Sequence, residues 1–187
     1  MITLKQVGNA DQTIQKSRFI AQAKMCETER EVGLFLRQLA SQYATAHHLA
    51  YAFRIKTAEG VIPRFSDAGE PSGTAGKPIL QILDGEQYVN VCVGVIRYYG
   101  GINLGTGGLV KAYGGTAKLA LLQAGAIPFV EMQEMRITTS YKRVDELTRE
   151  LSKVNGVVLN KAFDEAAHFI IKLPVQSAQQ FIQRFQS

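Results

Sequence analysis

The sequence predicts a protein of mixed strands and helices in two domains, 1–132 and 134–187. Three observations lead to this prediction. Apolar residues recur at helical spacing after Thr28, and a long run rich in β-branched residues extends from Tyr88 to Tyr99. Strand and helix patterns then restart at Arg136, after a proline and a mixed stretch. A chain of 187 residues is long enough for two small domains.

The composition is that of a globular protein with a modest basic excess. Apolar residues make up 46% and charged residues 20% of the chain, which argues against a disordered protein. The net charge of +5 permits an anionic partner but does not require one, because the charges are spread and no run of five like charges occurs. No segment approaches the roughly 18 apolar residues of a membrane span. We therefore expect a cytoplasmic protein without membrane contact.

The first part of the chain predicts a strand, a helix and a second strand. Phe19–Cys26 has a strand pattern, and Thr28 with Glu31 forms a capping box that begins a helix. Leu49–Ile55 is the second strand, and residues 1–17 predict no element. The two cysteines lie in apolar surroundings and are expected to be buried, reduced thiols. The apolar face of the helix consists of Val32, Phe35, Leu36, Leu39 and Tyr43.

The middle of the chain predicts two further strands and a long helix. Pro78–Leu83 reads as a strand, and Tyr88–Tyr99 reads as a central strand because it is almost entirely apolar around Val91–Ile96. A helix follows and ends near Gly125, which is a plausible C-cap. Its apolar face consists of Leu109, Val110, Tyr113, Ala117, Leu121 and Ala124.

The last part of the chain has the order strand, helix, strand, strand, helix. This order resembles a ferredoxin-like domain that lacks its last strand. The predicted strands are Arg136–Tyr141, Val157–Phe163 and His168–Leu173, and the predicted helices are Val144–Val154 and Ser177–Phe185.

Two glycine-rich loops distinguish this chain from a generic domain. The first loop covers 64–78 and the second covers 97–111. Of the 17 glycines, 13 lie between Gly60 and Gly115. Glycine costs conformational entropy, so such a cluster indicates positive φ angles or a close approach of the backbone to another group.

Neither loop matches a known nucleotide-binding motif. Gly76-Lys77 could end a P-loop, but Pro71 stands at the first glycine and Pro78 at the magnesium-binding position. The second loop lacks the third glycine of a dinucleotide fingerprint. A general anion site and a set of tight turns remain equally open, because a strand, a glycine loop and a helix start point backbone amides at an anion.

Two sets of side chains are candidates for a site. The first is a surface that binds nucleic acid or another anion, and it consists of Arg64, Lys77, Arg97, Gly105, Thr106, Gly107, Gly108, Lys111 and Lys118. Lys111 and Lys118 are seven residues apart and therefore share a helix face. For Arg97, a structural ion pair with a carboxylate such as Asp67 or Glu70 stays open as an alternative. The alternative is a polar loop site formed by His48, Asp67, Glu70, Ser72 and Thr74. No spacing of a catalytic triad or of a zinc site supports this alternative, and no metal or cofactor is expected.

Two long motifs resemble the Impact family, in its bacterial branch. They are Ser66-Asp-Ala-Gly-Glu-Pro-Ser-Gly-Thr-Ala-Gly-Lys-Pro78 and Arg97-Tyr-Tyr-Gly-Gly-Ile-Asn-Leu-Gly-Thr-Gly-Gly-Leu-Val-Lys-Ala-Tyr-Gly114. Lys16-Ser-Arg-Phe-Ile20 and the segment from His48 to Arg54 resemble earlier motifs of the same family. The chain departs from the family at Ala68, where a second aspartate is usual, which weakens any role that needs paired acids in this loop.

The resemblance implies an α+β fold in two domains. The N-terminal domain should be similar to the second domain of ribosomal protein S5 and to domain IV of elongation factor G. The C-terminal domain should be ferredoxin-like, as at the end of elongation factor G. The resemblance also implies a link to translation or RNA, and it supplies no catalytic residue and no cofactor.

Three hypotheses of function follow from these patterns. The first is a non-enzymatic regulator associated with translation that binds RNA or the ribosome. The second is a hydrolase or nucleotide-dependent enzyme that uses the 64–78 loop. The third is a protein-interaction module with a protein partner, although the sequence predicts no exposed apolar stripe for it.

Overall fold

The computed structural model describes residues 1–185. The chain separates into two compact units at the peptide bond between Phe129 and Val130. Both units combine helices with antiparallel sheets, so the predicted α+β class is confirmed.

A five-stranded antiparallel sheet is the centre of the first unit. Its spatial order is β2-β3-β6-β4-β5, and a separate two-stranded sheet joins β1 to β7. Seven of the eight residues of β6 are buried, which confirms the predicted central strand. The strands are β1 (Ile2–Leu4), β2 (Gly8–Ile14), β3 (Ser17–Met25), β4 (His48–Thr57), β5 (Gly60–Ser66), β6 (Val91–Tyr98) and β7 (Ala126–Pro128).

Helices cover both faces of this sheet. Helix α1 (Glu29–Gln42) packs on one face, while α2 (Gly76–Gly85) and α3 (Gly105–Ala124) pack on the other. The Thr28 hydroxyl accepts a hydrogen bond from the backbone N–H of Glu31, as the capping-box pattern predicts. The core beneath α1 includes Phe35, Leu39, Phe53, Cys92 and Ile96, and the core beneath α2 and α3 includes Phe19, Ala21, Ala52, Val93, Val95 and Tyr113.

Three sequence predictions in this unit are wrong. Pro78–Leu83 is not a strand but part of α2, because proline fits the first turn of a helix, where its missing N–H is not needed. The N-terminal segment contains β1 and β2, although its alternation of polar and small residues gave no clear signal. The start of the first glycine-rich loop is strand β5.

The two cysteines are buried as predicted. Cys26 and Cys92 are free thiols beneath α1. Burial raises the pKa of Cys26 to about 11 and that of Cys92 well above its ordinary value, so both stay protonated at neutral pH. Among residues 1–185, no helix is long and apolar enough to cross a membrane.

The second unit has the predicted order of elements around a three-stranded antiparallel sheet. The strands β8 (Met132–Thr139), β9 (Val157–Phe163) and β10 (Ala167–Pro174) lie in the order β8-β10-β9. Helices α4 (Val144–Lys153) and α5 (Val175–Phe185) supply the rest of the core. This core includes Ile137, Leu147, Leu151, Phe169, Ile171, Phe181 and Phe185.

Edge strand β9 contradicts the expectation that the chain has no exposed apolar stripe. All seven of its residues are exposed. The large apolar residues among them are Val157, Val158, Leu159 and Phe163. The sequence did not predict this exposure, because a run of apolar residues in a strand is typical of a buried strand.

Candidate functional site

The first glycine-rich loop is organised by the carboxylate of Asp67. Its Oδ1 accepts hydrogen bonds from the backbone N–H groups of Ala75 at 3.0 Å and Gly76 at 2.8 Å. Its Oδ2 accepts a bond from the N–H of Gly73 at 2.8 Å. A carboxylate of the chain itself therefore occupies the N-terminus of α2, where a P-loop would hold a phosphate. Burial raises the pKa of Asp67, but these backbone donors lower it by more, so its net shift is downward.

The close packing of this loop explains why Gly76 and Thr74 stand at their positions. A Cβ atom at Gly76 would collide with the carbonyl oxygen of Ser66, so α2 can begin here only with glycine. The Thr74 hydroxyl donates to the carbonyl of Pro71 at 2.6 Å.

Ala68 has φ of +50°, a conformation that asparagine and aspartate adopt more readily than alanine. The usual family residue at this position would therefore be less strained than alanine.

A buried cluster of Glu70, Arg97 and Tyr113 joins the loop to β6 and α3. Oε1 of Glu70 lies 2.7 Å from Nη1 of Arg97 and 2.7 Å from the Tyr113 hydroxyl, which donates to it. The side chains of Arg97 and Glu70 are only 6% and 4% exposed. Burial, together with the hydrogen bond to Glu70, raises the pKa of Tyr113, so the phenol keeps its proton. Arg97 is therefore the buried ion-pair partner of Glu70, which is the alternative that the sequence left open for this residue.

His48 lies beside this cluster and is partly exposed. Its Nδ1 is 2.9 Å from the carbonyl oxygen of Ala68, and its Nε2 is 3.9 Å from Oε1 of Glu70. Because a carbonyl oxygen only accepts, Nδ1 carries the proton. His48 therefore fastens the first loop to β4. Ser72 is exposed at the tip of the same loop.

Arg97 also connects the core to an exposed aromatic ring. Its guanidinium carbon is 5.5 Å from the ring centroid of Phe19 and 5.2 Å from that of Tyr99. Tyr99 is 46% exposed, while Tyr98 packs against the core beneath α1. The two rings lie on different sides because neighbouring residues of an extended segment face opposite ways.

The second glycine-rich loop runs from Tyr99 into the first turn of α3. A Cβ atom at Gly100 would collide with the backbone of Lys16, which requires glycine there. Oδ1 of Asn103 accepts a hydrogen bond from the N–H of Gly105 at 3.0 Å. Gly105, Thr106 and Gly107 are exposed in the first turn of α3, where the amides have no partner within the helix.

The structure places the predicted cations on different faces. Lys111 and Lys118 are exposed on α3, and Lys111 lines a groove of about 440 Å³ together with Gln12, Ile14 and Leu104. Lys77 is exposed in the first turn of α2, on the same side of the sheet. Arg64 is different, because it pairs across the strands with Phe53, which packs beneath α1. Cross-strand partners share a face, so Arg64 is separated from the lysines by the sheet.

Sequence reasoning missed the role of Tyr113, which it placed only in the apolar face of α3. The hydroxyl binds Glu70 across 43 residues of sequence. No local pattern connects two such positions, whereas the polar tip of a buried tyrosine does require a partner. Among residues 1–185, no group of three or more His, Cys, Asp and Glu side chains could hold a metal ion.

Comparison with known proteins identifies the family. The Impact N-terminal domain matches residues 15–121, which include all the candidate residues from His48 to Lys118. The chain is 38% identical over 162 residues to an IMPACT family member from Thermus thermophilus, and the match covers 86% of each chain. The chain belongs to the Impact family. This Impact family member is also 32% identical over 169 residues to YigZ of Escherichia coli, covering 90% of this chain and 83% of YigZ.

A solved structure shares the fold of this Impact family member. It is a crystal structure of a hypothetical protein that is 30% identical, with a TM-score of 0.73. The superposition covers 98% of this chain and 89% of the other. The fold of this Impact family member therefore has an experimental counterpart.

Proposed function

We propose that this protein is a non-enzymatic, translation-associated RNA-binding protein, and that it binds RNA or the ribosome through α3. The binding surface is the α3 surface, which consists of Gly105–Gly108, Lys111 and Lys118. One observation carries the proposal. Both carboxylates of the first glycine-rich loop, Asp67 and Glu70, bind groups of the protein itself. The exposed charged side chains of this loop and of α3 are therefore all cationic.

The electrostatics of α3 favour a polyanion. The helix contains two lysines and no acidic residue in 20 positions. The N-terminus of α3 adds roughly half a positive charge, which attracts an anion to the first turn of the helix. Phosphate groups satisfy both features, and contacts of this kind bind nucleic acid without reading its sequence.

Membership of the Impact family supports the link to translation. The glycine-rich motifs that resemble the Impact family imply a link to translation. The same two motifs contain residues 66–78 of the first glycine-rich loop and the residues of the α3 surface from Gly105 to Lys111. RNA of the translation machinery is therefore the class of nucleic acid that we propose.

Co-sedimentation with purified ribosomes, together with filter binding of ribosomal RNA, tests the proposal. We expect association at low ionic strength and a steep loss with added salt, because lysine–phosphate contacts release counterions. A sample without ribosomes controls for self-association. Absence of association even at low ionic strength would contradict the proposal.

The structure gives no support to the enzyme hypothesis. Asp67 and Thr74 bond to their own loop, and Glu70 is paired with Arg97 and Tyr113. We therefore assign these residues to the support of the α3 surface.

The exposed edge strand β9 favours protein interaction as a second candidate function. An edge strand offers unpaired backbone groups to an extended segment of another protein. Its exposed apolar side chains would select an extended apolar partner segment. Replacing Leu159 by aspartate should abolish such an interaction in a binding assay with the isolated partner and leave RNA binding unchanged.

A further inference from the structure

We infer that Tyr99 is a base-stacking platform, so that the protein takes single-stranded rather than duplex RNA. This inference rests on the proposed function and names its ligand class. The observation that carries it is the cluster of Phe19, Arg97 and Tyr99, in which a buried arginine supports an exposed aromatic ring.

The ring of Tyr99 is held from within the protein. The guanidinium beneath it is fixed by Glu70 at 2.7 Å and contacts the Ser17 hydroxyl at 3.4 Å. The backbone N–H of Tyr99 donates to Nδ1 of His47 at 3.2 Å. A ring that is already positioned loses little conformational entropy when a ligand stacks on it.

Tyr99 lies on the side of the sheet that carries α3. Val93 and Val95 belong to the core beneath α2 and α3, and side chains alternate along a strand. Arg97 continues this series and contacts Phe19 of the same core, and Tyr99 follows it. Tyr99 is therefore the first residue of the loop that leads from β6 into α3.

An exposed ring at the start of the loop that leads into a cationic helix selects unpaired bases. Every base has a π-face, so an aromatic ring binds single strands with little sequence preference. The bases of a duplex are stacked on one another, and proteins recognise duplex RNA mostly by its backbone and shape. Lysines alone would bind both forms, whereas the ring adds affinity only for the single strand.

Three fluorescent oligomers of equal length separate stacking from phosphate binding. They are single-stranded oligoadenylate, an abasic oligomer with the same backbone, and duplex RNA. For the full chain we expect tighter binding of oligoadenylate than of the abasic oligomer. Tyr99→Ala should weaken binding of oligoadenylate by about fivefold to 150-fold, the range for one stacked base, and leave binding of the abasic oligomer unchanged. Tyr99→Phe should bind like the wild type.

A tryptophan at the same position gives a second readout. The chain contains no tryptophan, so Tyr99→Trp introduces a single indole fluorophore. Oligoadenylate should quench its emission, and the abasic oligomer should not. Equal binding of oligoadenylate and the abasic oligomer, with no effect of Tyr99→Ala and no quenching, would overturn the inference and leave RNA binding intact. No binding of any oligomer by the wild type would overturn both the proposed function and this inference.

Discussion

Nη1 of Arg97 lies 2.7 Å from Oε1 of Glu70, and both side chains are almost fully buried. The pair connects the end of the central strand to the first glycine-rich loop. It also removes a negative charge from the surface beside α3 and supports the ring of Tyr99. A buried pair of this kind is strongly coupled, because neither charge can return to water when the other is removed.

Replacing Arg97 by alanine should destabilise the fold rather than weaken phosphate binding. The buried carboxylate of Glu70 would be left without its cation, which costs about 3–5 kcal/mol in free energy of unfolding. Urea unfolding followed by circular dichroism measures this change. The matched control is Arg18→Ala, which breaks an exposed pair with Asp11 and should change stability far less. An Arg97→Ala protein as stable as the wild type would contradict the assignment.

Asp67 should make stability depend on pH in the acidic range. Its folded pKa lies below the ordinary value of 3.8, so its stabilising effect is present above about pH 4 and is lost as pH falls through the folded pKa. Asp67→Asn should reduce stability at neutral pH by about 0.5–2 kcal/mol, as for the loss of a helix cap, and flatten the acidic part of the profile. Unfolding curves between pH 7 and pH 2 measure both effects. An unchanged profile would show that the amides do not depend on this carboxylate.

Two glycines should respond to alanine in opposite directions. Gly76→Ala should be destabilising, because its Cβ would collide with the backbone of Ser66. Gly107→Ala in α3 meets nothing within 4 Å and has no positive φ, so it should stabilise the helix by about 0.5–1 kcal/mol. Thermal melts of the two variants test the assignment. Similar melting temperatures would show that the close approach at Gly76 is not required.

The segment 1–129 should fold without the rest of the chain. The buried residues of its two apolar clusters extend from Leu4 to Ala124, so its core is complete. A polypeptide that ends at Phe129 should unfold in one cooperative transition and bind RNA like the full chain. A non-cooperative transition would show that residues beyond 129 are needed for its core.

The sequence predicted the elements whose signal is local. Helix α1 has a capping box and an apolar face, and β6 is a long run rich in β-branched residues, so both could be recognised. Helix α2 was missed because a short apolar run after proline fits a strand as well as a helix. The periodicity of one segment carries no information about a partner in another.

The same limit applies to the candidate site. Glu70, Arg97 and Tyr113 come from a loop, a strand and a helix, and only the tertiary fold brings them together. A sequence shows that Arg97 is basic but not that a carboxylate is buried beside it. Lys111 and Lys118 were assigned correctly to one face of α3 because helical spacing is local.

RNA binding by the α3 surface should be visible in the salt dependence of RNA affinity for a double lysine variant. Fluorescence anisotropy of a single-stranded RNA across a salt series gives the slope of log affinity against log salt for each protein. Lys111→Ala with Lys118→Ala should reduce that slope by about 1.4–1.8, since each lysine contributes about 0.7–0.9. The matched control, Arg30→Ala with Arg37→Ala, removes the same charge from the exposed side of α1 and should leave the slope unchanged. An equal reduction in both variants, or none in the lysine variant, would contradict RNA binding by the α3 surface.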